Sequence, residues 1–125
     1  MMFSEEEIKL ILSKDTCRLA SVSANGWPHL VPVSYVYIKE KFYVPSKKNA
    51  KKVKNLKINP KATIVIDDEQ TEMGVMIECN ARILEYYEAY AIIRYMENEK
   101  GWKESKNTVI IELSPLRKAS WSLKS

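Results

Sequence analysis

Ser46, Lys47, Lys51 and Lys52 are the residues of this chain whose types and spacing best support a defined chemistry, the holding of a phosphate. They lie in the stretch Phe42 to Pro60, FYVPSKKNAKKVKNLKINP, which reads as a short apolar strand turning into a helix whose first turns carry lysines and no acid. Helix starts ordinarily carry Asp or Glu, because the macrodipole leaves about half a positive charge there and a misplaced cation costs roughly 0.3–1 kcal/mol. Exposed amides around Asn49 to Lys51, with the serine hydroxyl and the ammonium groups, are the ingredients of an anion site. The same residues also read as a plain solvated basic face, and the lysines by themselves do not choose between the two.

The remaining inventory is short. His29 is the single histidine, so any Ser/His/Asp or Cys/His system would have to pass through it. Following Trp27-Pro28 at a strand start, it reads as a surface or hairpin-packing residue rather than a general base. Asp67, Asp68 and Glu69 are consecutive acids in a polar segment, a solvated turn more readily than a metal site. Cys17 and Cys79 stand far apart in strand-like segments, with no CxxC and no histidine at ligand spacing, and read as buried free thiols. Among three glycines there is neither a P-loop nor a GxGxxG fingerprint. An enzyme built on this chain would take its chemistry from a bound cofactor.

These residues have to be positioned by one core, since 125 residues make a single domain, 1–125, with no shift of composition along it. Hydrophobic residues at 46% and charged residues at 29% exclude disorder and a coiled coil. The net charge of +4 is concentrated between Lys47 and Lys61, which favours a local anion site over a nucleic-acid-binding face. No apolar run approaches the roughly 20 residues that cross a bilayer, and the start, MMFSEEEIK, is acidic where a secretory signal is basic. The expectation is a cytoplasmic protein with no membrane partner. Abundant Lys and Glu with a single glutamine, Gln70, lean towards a thermophile.

Ser4 and Glu7 form a capping box, with Phe3 and Ile8 at the spacing of a hydrophobic staple, so a helix is predicted from Glu5 with Ile8, Ile11 and Leu12 on its apolar face. Strands follow at Arg18 to Ser23 and His29 to Ile38, joined through Asn25-Gly26, and Lys39-Glu40-Lys41 turns the chain into Phe42 to Val44. These three runs read as an antiparallel meander. Pro28, Pro32 and Pro45 mark starts, edges or bulges, because proline cannot donate to a ladder. In the lysine-rich helix Ala50, Val53 and Leu56 can face the core, and Asn59-Pro60 stops it before a strand at Ala62 to Ile66. Asp67 to Met73 reads as a polar loop. Val75, Ile77, Cys79, Ala81 and Ile83 alternate with polar residues as a half-buried strand. Glu85 to Lys100 reads as a helix with Ala89, Ile92, Ile93 and Met96 at helical spacing and Gly101 as its C-cap. Thr108 to Leu113 is a further strand that Pro115 interrupts, with Arg117 to Leu123 continuing the sheet at a changed angle. Six strands, mostly in sequential hairpins, predict a mainly β fold with flanking helices, a closed or nearly closed antiparallel barrel. Tyr37, Tyr43, Tyr86, Tyr87 and Tyr90 are assigned to packing.

In this order the hairpin LASVSANGWPHLVPVSYVY, the strand and lysine helix FYVPSKKNAKKVKNLKINPKATIVI, the strand GVMIECNARI and the terminal VIIELSPLRKASW resemble the FMN-binding split β-barrel family of pyridoxamine 5′-phosphate oxidase-like proteins, over nearly the whole chain. The resemblance implies a six-stranded antiparallel split barrel and a homodimer holding flavin at the subunit interface. It places the flavin phosphate against the start of the helix after the third strand, on Ser46, Lys51 and Lys52, with Lys47 in addition. It places Val31, Pro32, Val33, Ser34, Tyr35 and Val44 along the isoalloxazine and ribityl chain, largely through backbone groups. Trp121 matches the tryptophan that the partner subunit brings to the flavin.

Three departures qualify the likeness. The oxidase carries a basic, histidine-containing tail beyond its tryptophan that this chain lacks; Val31 stands in place of an arginine that helps hold the phosphate; and Gly74 stands where the oxidase has a glutamine. The leading expectation is an FMN-binding oxidoreductase acting on a small substrate. Its rivals are a deazaflavin-dependent reductase on the same barrel, a non-catalytic flavin carrier, and a nucleic-acid binder using the Lys47 to Lys61 patch.

Overall fold

The computed structural model describes residues 2–102 and 107–122. The chain opens with helix α1 (Glu5–Ser13) and then runs β1 (Thr16–Val22), β2 (Pro28–Ser34), β3 (Val36–Ile38), β4 (Lys41–Lys47) and α2 (Lys51–Ile58). It continues through β5 (Lys61–Asp68), β6 (Met73–Leu84), α3 (Tyr90–Lys100) and β7 (Thr108–Ser122). The strands form one antiparallel sheet in the order β2-β1-β5-β6-β7-β4-β3. β2 and β3 lie at opposite ends of that order, yet Tyr35 alone joins them. A single residue spans the two edges only if the sheet curls, and β2 accordingly lies against β4, making the mainly β half-barrel of a split barrel.

That curl is why there are seven strands where six were expected. The run from His29 to Ile38 breaks at Tyr35, which is fully buried and donates both its backbone amide to the Asp15 carbonyl, at 3.0 Å, and its hydroxyl to the Ile11 carbonyl. The expected three-strand meander is therefore two separate hairpins. β1–β2 turns through Ser23 to Trp27, with Gly26 at φ 87°, and β3–β4 turns through Lys39 and Glu40, both left-handed, the two-residue geometry that matches strand twist.

The concave face buries Leu19, Phe42, Val44, Val53, Ile64, Ile77 and Ile111 in one cluster, closed by α1 and α2. A second cluster lies behind the sheet, where Ile93 and Met96 of α3 pack on Val36, Tyr43, Leu84 and Ile110. With layers on both sides, Thr108 to Leu113 of β7 is buried throughout, whereas its second half is exposed. Between the two halves the pairing steps from Cys79 opposite Pro115 to Glu78 opposite Arg117, so Leu116 is an extra residue in a β-bulge. The bulge absorbs Pro115, and β7 continues to Ser122 as one strand; Leu123 lies outside the described residues.

Three further expectations are corrected. On α1 the buried residues are Glu7, Leu10 and Ile11, while Leu12 is exposed, because the helix turns its capping glutamate, not Leu12, towards the sheet. The polar segment from Asp67 to Met73 shortens to a turn, since β5 reaches Asp68 and β6 begins at Met73. The second long helix begins at Tyr90, not Glu85. Residues 85–89 form turns in which the Glu85 amide donates to Glu88 and the Ala89 amide to the Glu85 carbonyl.

Ser4 and Glu7 make the capping box reciprocally, at 2.7 and 3.1 Å. Glu7 also accepts from the Lys118 ammonium on β7, which sits over the Phe3 ring. This carboxylate fastens α1 across the concave face.

Candidate phosphate site at the start of the lysine helix

The site grows out of the junction between β4 and α2. Ser46 and Lys47 end β4, paired with Val109 and Thr108, and the Ala50 amide bonds the Lys47 carbonyl at 3.1 Å to turn the chain into the helix. Ala50 is the N-cap and offers no side-chain acceptor, and no acid stands in the first turn. The amides of Lys51 and Lys52 consequently have no acceptor among the described residues, two of the orphan donors that every helix start presents. Asn49 and Lys51 are exposed, Lys52 is half-buried, and Ser46 is buried with its hydroxyl donating to the Lys47 carbonyl at 3.1 Å.

The electrostatics are one-sided. Lys48 pairs with Glu85 at 3.7 Å, but among the described residues Lys47, Lys51 and Lys52 have no carboxylate partner. Burial alone pulls the pKa of the Lys52 ammonium down, as expected of a cation partly removed from water without a countercharge. An anion bound here would gain the amides, the positive helix end and three ammonium groups together.

α2 is seated by a polar contact absent from the sequence reading. Asn55 is buried and donates Nδ2 to Ser21 Oγ of β1 at 3.1 Å, three residues beyond Lys52 and so on the same side of the helix. His29 of β2 is paired with Ser21 and lies on that face; its Nδ1 is buried with no hydrogen-bond partner among the described residues. The spacing of Asn55 from Lys52 was the available signal. Asn55→Ala should lower stability by about 1–2 kcal/mol, seen as a fall in the urea midpoint at unchanged slope. An unchanged midpoint would mean that the Ser21 contact contributes nothing.

The other predicted site residues scatter. Along β2, which lies beside β4, Val33 is buried in the concave core, Val31 is half-buried against it, and Pro32 and Ser34 alternate onto the convex face. Tyr35 and Val44 are core residues. The Tyr35 amide and hydroxyl are both engaged, and Val44 is fully buried opposite Ile111 in the ladder, so neither presents an exposed side chain to a ligand. Trp121 is on the convex face near the end of β7, opposite Gly74. Val109, the neighbour of Ser46, lies at the other end of that strand, about 30–40 Å away at ~3.3 Å per residue.

Elsewhere the chemistry is muted. Cys17 and Cys79 are buried free thiols whose pKa values burial pushes up to about 12, which leaves them un-ionised near neutrality. Asp67 pairs with Arg18 at 3.2 Å and Asp68 with Lys14 at 3.6 Å, and no group of potential metal ligands is assembled among the described residues. Tyr43 donates to the buried Glu112 at 3.3 Å, which Arg82 also holds at 3.2 Å. Among the described residues no helix is long and apolar enough to cross a membrane.

A family model described as pyridoxamine 5′-phosphate oxidase matches residues 3–122. Three of the solved structures that share the fold illustrate the likeness. A Listeria innocua protein named after pyridoxamine 5′-phosphate oxidase is 23% identical, with 97% of this chain and 98% of that one covered and a TM-score of 0.80. An F420 reductase is 16% identical, covering 94% and 98%, with a TM-score of 0.79. A pyridoxamine 5′-phosphate oxidase-related, FMN-binding protein of Nostoc punctiforme is 13% identical, covering 95% and 83%, with a TM-score of 0.79. No curated protein matches the sequence. The family model spans almost every residue from which the curled sheet, the lysine helix and the tryptophan-bearing strand are built, and the chain belongs to the pyridoxamine 5′-phosphate oxidase family.

Proposed function

We propose that this protein is a homodimeric FMN-binding oxidoreductase in which the start of α2 holds the flavin phosphate. The observation that carries the reading is the uncapped, acid-free helix start with three ammonium groups that have no carboxylate partner among the described residues, in a chain whose fold neighbours include an FMN-binding protein. The residues present fit the group: Ser46, Lys47, Lys51 and Lys52 would hold the phosphate, and the edge strand from Val31 to Ser34 would run along the rest of the flavin. When bound, the isoalloxazine supplies the electron or hydride transfer. The side chains contribute binding, orientation and charge.

The dimensions of β7 support the dimer in this reading. The phosphate cradle and Trp121 stand at opposite ends of one strand, so they meet in one site only if Trp121 comes from the other subunit. The convex face carries Leu30 and Trp121 exposed, with Val65 and Met76 half-buried, apolar surface suited to a second copy beside the Arg18–Asp67 and Arg117–Glu78 pairs.

The test is the pigment and its phosphate. Protein purified from its native host should release FMN on denaturation, and the flavin-free protein should bind FMN at least tenfold more tightly than riboflavin; equal affinity would sink the assignment. Release of a deazaflavin would favour the rival suggested by the F420 reductase fold neighbour. Absence of turnover with a nicotinamide donor and a panel of acceptors would favour a flavin carrier. Trp121→Ala should loosen FMN, and deleting Ser122 to Ser125 should do less. A heterodimer of Lys51→Ala/Lys52→Ala with Trp121→Ala should regain one intact site per dimer, and its failure to do so would remove the crossed-over tryptophan.

A further inference from the structure

Gly74 is buried in β6 with Trp121 opposite it in β7. A Cβ at position 74 would come within 2.2 Å of Cζ2 and 2.5 Å of Cε2 of Trp121, so the benzo ring of the indole occupies the space a side chain there would need. Trp121 nonetheless keeps 39% of its surface exposed. One part of the indole is thus seated on the glycine and the rest is open on the convex face. Gly74 has no positive φ, so a turn conformation does not account for it; close approach of a neighbouring group does.

An indole on an open sheet face has several staggered rotamers available, and a methyl at 74 closes the one seen here. We infer that Gly74 is a positioning residue that sets the orientation in which Trp121 is presented to the ligand. This rests on the reading above, in which Trp121 meets the flavin held by the other subunit. It gives Gly74 a role of its own: the indole takes the place of a side chain there.

The experiment uses the full-length dimer with Trp27→Phe and Trp102→Phe as background, so that tryptophan emission reports Trp121 alone. Gly74→Ala should fold with only a small loss of melting temperature, because the methyl meets a movable ring and not backbone. Its flavin-free emission should shift to the red as the indole leaves its seat; an unmoved emission overturns the inference. FMN should bind at least fivefold more weakly, and bound flavin emission should rise as indole quenching is lost. In a Trp121→Ala chain, Gly74→Ala should change neither. Equal loss with and without the indole would show that the methyl acts on the backbone, and would overturn the proposal. If Trp121→Ala itself leaves FMN affinity and emission unchanged, it is the flavin reading of Trp121 that fails, while the flavin-free emission still judges the seat.

Discussion

Lys51→Ala/Lys52→Ala should bind FMN at least a hundredfold more weakly than the parent and bind riboflavin with little change. Each charge-assisted hydrogen bond to a phosphate is worth roughly 1.5–3 kcal/mol, so two lost together amount to on the order of 3 kcal/mol or more. The folded state should tolerate the change. Lys51 is exposed and Lys52 half-buried, neither has a carboxylate partner among the described residues, and the core side of α2 is Val53, Asn55 and Leu56. Removing two cations from the positive end of the helix should leave the flavin-free melting temperature level or slightly higher. Flavin fluorescence titration and thermal melts report the two effects separately. A double variant that keeps full FMN affinity would return these lysines to a solvated basic face.

Lowering the pH from 6 to 3 should remove about 2 kcal/mol of stability through Glu7 alone. Burial acts to raise the pKa of this carboxyl, but the Lys118 ammonium, the Ser4 amide and the Ser120 hydroxyl outweigh it and hold the pKa down at about 2, against 4.5 for a free glutamate. With the folded value below the unfolded one, protons are taken up first by the unfolded chain. The contribution is whole above about 4.5 and is lost as the pH falls towards about 2. Glu7→Gln keeps the shape and removes the charge, so it should be less stable than the parent near neutrality and converge on it in acid. Denaturant unfolding at several pH values measures the difference between the two chains, in which the other carboxylates cancel. Parallel curves would show that Glu7 is not the group titrating.

What was legible in the sequence was what neighbours along the chain decide. The capping box needs only Ser4 and Glu7, the hairpins need only their turn residues, and the acid-free start of α2 is plain from its lysines. Ladder partners were not legible in the same way. Tyr35 reads as one more residue of a β run until the curled sheet requires a break there. Leu116 falls in the interruption expected at Pro115, and only the register shows that the strand runs on through it, with Leu116 unpaired opposite Glu78 and Cys79. Leu12 looks as apolar as Leu10, and only the Lys118 partner of Glu7, 111 residues away, settles which face of α1 turns inward. The same holds for the site: Lys51 and Lys52 announce themselves, whereas the Asn55 to Ser21 contact and the seating of Trp121 on Gly74 depend on which strands lie side by side.

The strand order also bears on how the protein comes off the ribosome. β7, the last strand of the described chain, pairs with both β6 and β4, and so joins a four-strand piece to the small β3–β4 hairpin. Until it has emerged, β4 and β6 each present an unpaired edge, and the concave core has no wall between them. Folding of the sheet must therefore wait until nearly all of the described chain has been synthesised. During that interval two apolar strand edges are open to other nascent chains.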